Sequence, residues 1–226
     1  MEGLTAARVA ANLADVRDEV AAAAGERVVR ILAAVKYVDA AQLATLVDGG
    51  VTVAGENRAQ QLVEKAAAFP QLEWHFIGHL QSRKVRQVLP LVKWIHSVST
   101  DSAVEQLHRH APPGTEVLVE VNVAREPAKS GVDPSDLDAF LERASGGPFS
   151  VVGLMTMPPA ARRPEDSRRW FAALRELAAA RGLPELSMGT TQDFAVAVQE
   201  GATVVRVGSR LLREERGIAG NSAPTA

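Results

Sequence analysis

Lys36 closes the apolar run Ile31-Leu32-Ala33-Ala34-Val35. A lysine at the end of a buried strand has two fates. In a low-dielectric mouth its charged form is disfavoured, its pKa falls, and its amine becomes a nucleophile that can form a Schiff base with a carbonyl. On a rim it snorkels and remains an ordinary ammonium. Two later loops suggest a second chemistry. Leu186-Ser187-Met188-Gly189-Thr190-Thr191-Gln192-Asp193 and Val205-Arg206-Val207-Gly208-Ser209-Arg210 each set a glycine among hydroxyl residues. Glycine lets the backbone approach an anion, while hydroxyls and amides donate to it. Each loop taken singly also reads as an ordinary turn with capping hydroxyls. An aldehyde-capturing lysine together with a phosphate cradle is the pair that pyridoxal 5′-phosphate (PLP) requires. Arg206, two residues before Gly208, is placed to reach the ring nitrogen of that cofactor. A guanidinium cannot accept a proton, so this nitrogen would stay unprotonated and the ring would be a weaker electron sink. The plain alternative for Arg206 is a salt bridge with Glu56 or Glu120.

The elements that must position these residues follow from periodicity. Leu4–Ala24 places Leu4, Val9, Leu13, Val16 and Val20 near one helical face. Strands are expected at Val28–Val35, Val51–Ala54, Glu73–Ile77, Lys93–Val98, Glu116–Val123, Phe149–Leu154, a segment ending at Leu186-Ser187, and Thr203–Val207. Helices are expected between them, over Asp39–Val47, Ala59–Phe69, Ser82–Leu89, Asp101–His110, Pro134–Ala144, Pro164–Arg181 and Gln192–Gln199. Apolar strands alternating with helices imply a parallel sheet. Eight such units predict an α/β fold, a single (β/α)8 TIM barrel with an extra N-terminal helix. An open doubly wound sheet is the runner-up. In a barrel the active site lies at the C-terminal strand ends, and phosphates bind in the loops after strands seven and eight, where the two glycine loops fall.

Length and composition are consistent with this scheme. The 226 residues correspond to about one and a half average domains. The chain reads as a single domain over 1–226, ordered over about 3–212 with a loose polar tail over 213–226. Lys plus Arg number 25 and Asp plus Glu 27, a net charge of −2, which disfavours a nucleic-acid binder. Cysteine is absent, which removes thiolate nucleophiles and cysteine-based metal sites and leaves Lys36 as the leading covalent centre. No long uncharged apolar stretch and no secretory leader are seen, so a cytoplasmic protein is expected.

The chain resembles the pyridoxal-phosphate homeostasis protein family, whose fold is that of the N-terminal barrel of alanine racemase. Ala34-Val35-Lys36, Gly55-Glu56-Asn57, Trp74-His75-Phe76-Ile77-Gly78-His79-Leu80-Gln81-Ser82, Lys129-Ser130-Gly131, Gly153-Leu154-Met155-Thr156, Leu186-Ser187-Met188-Gly189 and Val205-Arg206-Val207-Gly208-Ser209 carry the resemblance. It extends from about residue 28 to residue 212. It implies that Lys36 is the Schiff-base lysine, that Asn57 contacts the ring or its hydroxyl, and that Arg206 contacts the ring nitrogen. It further implies that Ser187, Gly208 and Ser209 hold the phosphate, with Met188 and Gly189 shaping that loop. The implied role is to bind, buffer or deliver PLP, without robust catalysis, for PLP-dependent apo-enzymes. Val35 before the lysine, Tyr37-Val38-Asp39 after it, and Thr191-Gln192 depart from the usual family run.

Two further function classes compete. A PLP-dependent amino-acid racemase would need a second proton donor; the chain has one tyrosine, Tyr37, and strand alternation aims it away from the target of Lys36. A Schiff-base aldolase would use Lys36 without a cofactor. His75 and His79 are spaced across a strand and a turn, which disfavours a zinc pair. His108-Arg109-His110 reads as a helix end, and Arg162-Arg163 with Arg168-Arg169 as a solvated helix start. Met155 and Met157 read as packing near the barrel top. A monomer is expected.

Overall fold

In the computed structural model, which describes residues 4–214, Thr5 opens α1 (Ala6–Ala24), its hydroxyl accepting the Arg8 amide at 3.2 Å. The predicted apolar stripe Val9, Leu13, Val16 and Val20 is buried. Eight strands follow: β1 (Arg30–Ala34), β2 (Val53–Glu56), β3 (Glu73–Phe76), β4 (Trp94–Val98), β5 (Thr115–Glu120), β6 (Phe149–Met155), β7 (Glu185–Thr190) and β8 (Val204–Val207). All pair in parallel and in chain order, and β8 closes on β1 with Leu32 opposite Arg206. The crossovers carry α2 (Ala40–Asp48), α3 (Ala59–Ala68), α4 (Val85–Val88), α5 (Asp101–His110), α6 (Leu137–Arg143), α7 (Arg168–Ala179) and α8 (Phe194–Gln199). The α1 helix packs on both α2 and α8 and so fills the outer ring where the barrel closes. The fold is the expected (β/α)8 barrel with its extra N-terminal helix.

Strand alternation divides the apolar residues into two sets. One set faces the helices and forms the large outer core, with Ile95, Val117, Val119 and Val205 fully buried. The other faces inward, where Leu32, Trp94, Leu118, Met155 and Val204 fill the barrel. Each such side chain contributes on the order of 1.5–3 kcal/mol on burial. The lower barrel is therefore a packed interior, and space for a ligand is left at its rim.

Boundaries moved where pairing overrode pattern. Strand β1 starts at Arg30, whose amide donates to the Thr203 carbonyl at 2.8 Å, and Val28 is 93% exposed. Strand β5 stops at Glu120, since Val121 bridges to Val132 as the loop folds back. Pro134–Asp136 stay outside α6 because Asp133 caps a turn at Ser135. Ser82–Lys84 and Leu89–Leu91 form 3-10 turns that flank the one-turn α4, and Pro164–Ser167 is a 3-10 entry to α7. Strand β7 extends to Thr190, three residues beyond the expected end. The expected loose tail beyond Glu214 lies outside the described residues.

Candidate functional site

Lys36 sits two residues past the end of β1 and shares its parity with the inward-facing Leu32 and Ala34. Of the two fates open to it, the rim is the one observed: Lys36 is exposed in a turn, with Nζ 4.6 Å from the centroid of the Tyr37 ring. The strand ends at Ala34, so the lysine leaves the barrel before the walls can desolvate it. The same turn removes the strand alternation that was expected to direct Tyr37, which is 80% exposed.

The position of that turn is fixed from below. Glu56 points outward from β2 and is fully buried; its carboxylate takes Lys65 Nζ of α3 at 2.5 Å and the amides of Asn57 and Arg58 at 2.7 and 3.2 Å. The same Lys65 Nζ donates to the Val35 carbonyl at 2.7 Å. The ends of β1 and β2 are thus tied to one ion pair just where Lys36 and Asn57 leave the wall. Asn57 follows Gly55 in inward parity, and its Oδ1 is buried without a hydrogen bond.

Arg206 enters the barrel from β8 and is 4% exposed. The alternative salt bridge with Glu56 or Glu120 does not form: Glu56 is committed to Lys65, and among the described residues no carboxylate pairs with Arg206. Its partners are neutral. Nη1 donates to the Ser187 carbonyl at 3.0 Å and to Ser187 Oγ at 2.8 Å. Nη2 donates to the Thr156 carbonyl at 2.8 Å and to Met157 Sδ at 2.9 Å. A guanidinium has five N–H donors. The four terminal ones have acceptors, and Nε–H has none among the described residues. Burial presses the Arg206 pKa down to about 10, opposed by the more distant Glu120 and Asp193 carboxylates, so the group stays charged at neutral pH.

The two glycine loops meet at the barrel mouth. Gly208 N–H donates to Thr191 Oγ1 at 3.0 Å, joining the ends of β7 and β8, and Ser209 is exposed beside them. Ser187, expected on the phosphate, is fully buried, and its hydroxyl lies between Arg206 and His96. Met188 is buried on the helix side. Gly189 has φ +89°, and a Cβ there would lie 2.5 Å from Ala197 Cβ, so glycine lets β7 turn tightly onto α8. Met155 packs inside the barrel as expected, whereas Met157 is 48% exposed and serves as a sulfur acceptor for Arg206.

Of five further residues that the structure brings into or beneath the site, His96 has no place in the sequence reading, and Thr191, Glu120, Gly131 and Thr156 stand in it without these contacts. Thr191 stood in a loop already singled out, and its hydroxyl was the available signal. Glu120, buried inward at the top of β5, accepts from Ser130 Oγ at 2.7 Å, and burial raises its pKa. Gly131, at φ +114° with Asn122 N 2.6 Å from a would-be Cβ, lets the Lys129-Ser130-Gly131 segment fold back to reach it. His96 lies inside β4 and carries no sequence signal apart from its strand, while Thr156, just past β6, ends the Gly153-Leu154-Met155-Thr156 segment of the resemblance. His75 is buried in the barrel interior, while His79 is exposed beyond the end of β3. The arginines flanking α7 form ion pairs with Glu165, Asp166 and Glu200. No helix among the described residues is long and apolar enough to cross a membrane.

A closed parallel barrel with polar groups from β1, β2, β7 and β8 gathered at its C-terminal mouth is a barrel of the alanine racemase type, and residues 5–214 match the family described as "Alanine racemase, N-terminal domain". The pyridoxal phosphate homeostasis protein of Aquifex aeolicus is 39% identical over 204 residues, covering 85% of this chain and 90% of that one. That of Escherichia coli K12 is 32% identical over 226 residues, covering 90% and 95%. The chain belongs to this family, on the branch of the pyridoxal phosphate homeostasis proteins. The structure of PipY of Synechococcus elongatus PCC7942 with PLP bound superposes with a TM-score of 0.79 at 32% identity, covering 91% of this chain and 100% of that one. Alanine racemase of Corynebacterium glutamicum shares the fold, with a TM-score of 0.72 at 17% identity, covering 97% of this chain and 65% of that one.

Proposed function

We propose that this chain binds PLP at the C-terminal mouth of its barrel and acts in cytoplasmic PLP homeostasis, holding the cofactor and passing it to PLP-dependent apo-enzymes, as a monomer without robust catalysis of its own. The observation that carries this reading is Arg206. Its four terminal N–H groups are pinned to protein acceptors, and Nε–H remains to be offered to a ring nitrogen. The buried orphan Asn57 Oδ1 is a second fit, since it can accept from a ring hydroxyl. PLP, when bound, supplies an aldehyde that an amine can capture and a ring that withdraws electrons.

The residues divide the work. Lys36 presents its amine at the rim, from a turn held by Lys65 and Glu56. Gly208 N–H, the Thr191 hydroxyl and Ser209 form the edge where a phosphate is received, and Gly189 shapes the turn before it. Ser187 and Met188 support that loop from inside. A permanent cation at the ring nitrogen keeps that nitrogen unprotonated, which weakens electron withdrawal. An exposed lysine and an exposed Tyr37 leave the rim open, which suits a cofactor that must depart. The names of the relatives and the PLP held by PipY support the same reading.

The test is uptake of PLP followed by borohydride reduction and mass spectrometry. Modification of Lys36 is expected; modification elsewhere overturns the assignment. Turnover of an amino-acid panel is expected to be absent, and steady racemisation would instead make the chain a racemase.

A further inference from the structure

We infer that Glu73, His75 and His96 form a line of hydrogen bonds through the barrel that positions Ser187 and Arg206 for the cofactor, so that a carboxylate at the N-terminal end of the barrel governs cofactor retention at the other end. The inference rests on the reading that Arg206 meets the PLP ring.

The line is continuous and drawn from four strands, β3, β4, β7 and β8. Arg206 Nη1 donates to Ser187 Oγ at 2.8 Å, Ser187 Oγ lies 2.8 Å from His96 Nδ1, and His96 Nε2 lies 2.8 Å from His75 Nδ1. His75 Nε2 lies 2.9 Å from Glu73 Oε1. Both histidines and Ser187 are fully buried, and Glu73 reaches solvent, with its side chain 41% exposed beside Arg30.

One end fixes the direction of every bond. A carboxylate only accepts, so His75 Nε2 carries the proton. Burial holds both rings neutral: it lowers the His75 pKa to about 4 despite Glu73, and it lowers that of His96 with help from the charges of Arg206 and Arg30. His75 Nδ1 is then an acceptor, His96 Nε2–H donates to it, and His96 Nδ1 accepts the Ser187 proton. Ser187 Oγ is left with a lone pair for Arg206. The reverse order would aim both His96 Nδ1–H and Arg206 Nη1–H at that oxygen and strand its own proton. Tilted ring contacts hold the planes, with His75 and His96 centroids 5.5 and 5.8 Å from that of Trp94, which lies under the Arg30 guanidinium at 4.5 Å. Simple filling of this layer needs no histidine, as Leu32, Leu118 and Val204 show.

The test uses the full chain and leaves the PLP contacts intact. In cofactor-free, 15N-labelled protein, long-range proton–nitrogen spectra are expected to show the Nε2–H tautomer at both His75 and His96. Glu73→Gln keeps an acceptor for His75 and is expected to keep both the tautomers and PLP retention. Glu73→Leu is expected to mix the tautomers and to weaken PLP binding about tenfold, the loss given by one misheld charged hydrogen bond. Ser187→Ala, a small change at the other end, is expected to weaken PLP binding about as much. The inference is overturned if the tautomers differ from those stated, or if Glu73→Leu retains PLP like the unaltered chain. PLP attachment away from Lys36 would overturn the site reading, while the tautomer spectra would still judge the line itself.

Discussion

Lys65 and Glu56 form an ion pair of 2.5 Å between α3 and β2, and the same ammonium holds the Val35 carbonyl of the neighbouring strand end. Glu56 is completely buried and Lys65 nearly so. The pair is therefore a fastener for the two chain segments that carry Lys36 and Asn57, rather than a surface ornament of marginal value.

Removing one partner tests that role. Lys65→Met leaves the Glu56 carboxylate buried without its counter-charge, and a cost of about 3–5 kcal/mol is expected in urea unfolding. Adding Glu56→Gln to that variant should recover a large part of the loss. Equal stability of the single and double variants would show that the charge of Glu56 is not what Lys65 compensates.

Arg206→Ala should weaken PLP retention by more than tenfold, since it removes the ring-nitrogen donor and frees the loop carbonyls of Ser187 and Thr156. Ser209→Ala should weaken it to a smaller degree. Arg168→Ala, which disturbs outer contacts with Glu165, Glu200 and Gln199, should leave retention unchanged. Absorbance titration with PLP reads all three, and equal retention would contradict the proposed pocket.

Acid should destabilise the fold through the buried histidines. The His75 pKa is lowered from 6.5 to about 4 in the folded chain, and burial lowers that of His96 well below the usual range. Between pH 6.5 and 4 the unfolded chain thus binds protons that the folded chain refuses. The stability is full above about 6.5 and declines as pH falls, at up to about 1.4 kcal/mol per pH unit for each histidine. Glu120 acts in the opposite sense, because its raised pKa lets the folded chain gain a proton first. Thermal unfolding at pH 7, 5.5 and 4.5 should show a steady fall in Tm, and replacing both histidines should flatten it.

Gly189→Ala should destabilise by about 2 kcal/mol or more, as an L side chain at φ +89° is strained and its Cβ would strike Ala197. Calorimetry checks this. A neutral result would mean that α8 can shift off the end of β7.

Much of the architecture is legible in the chain. Short Val, Leu and Ile runs alternating with helical stripes specify eight parallel strands, since an apolar strand covered on both faces needs helices around it. Lys36 at a strand end, and Gly189 and Gly208 in the last two loops, mark the functional rim because barrel loops carry the site. Tertiary structure decided which polar residues meet. His96 and Ser187 are 91 residues apart, and Ser187 and Arg206 touch across β7 and β8 where the register slips between Ser187 and Thr190. A one-residue slip reverses which face a side chain takes. Inward placement of His75, His96, Ser187 and Arg206 is thus set by barrel closure and its bulges, which no local pattern records. The exposure of Lys36 has the same origin: periodicity identifies the strand, but only pairing with β2 and β8 determines that it ends at Ala34.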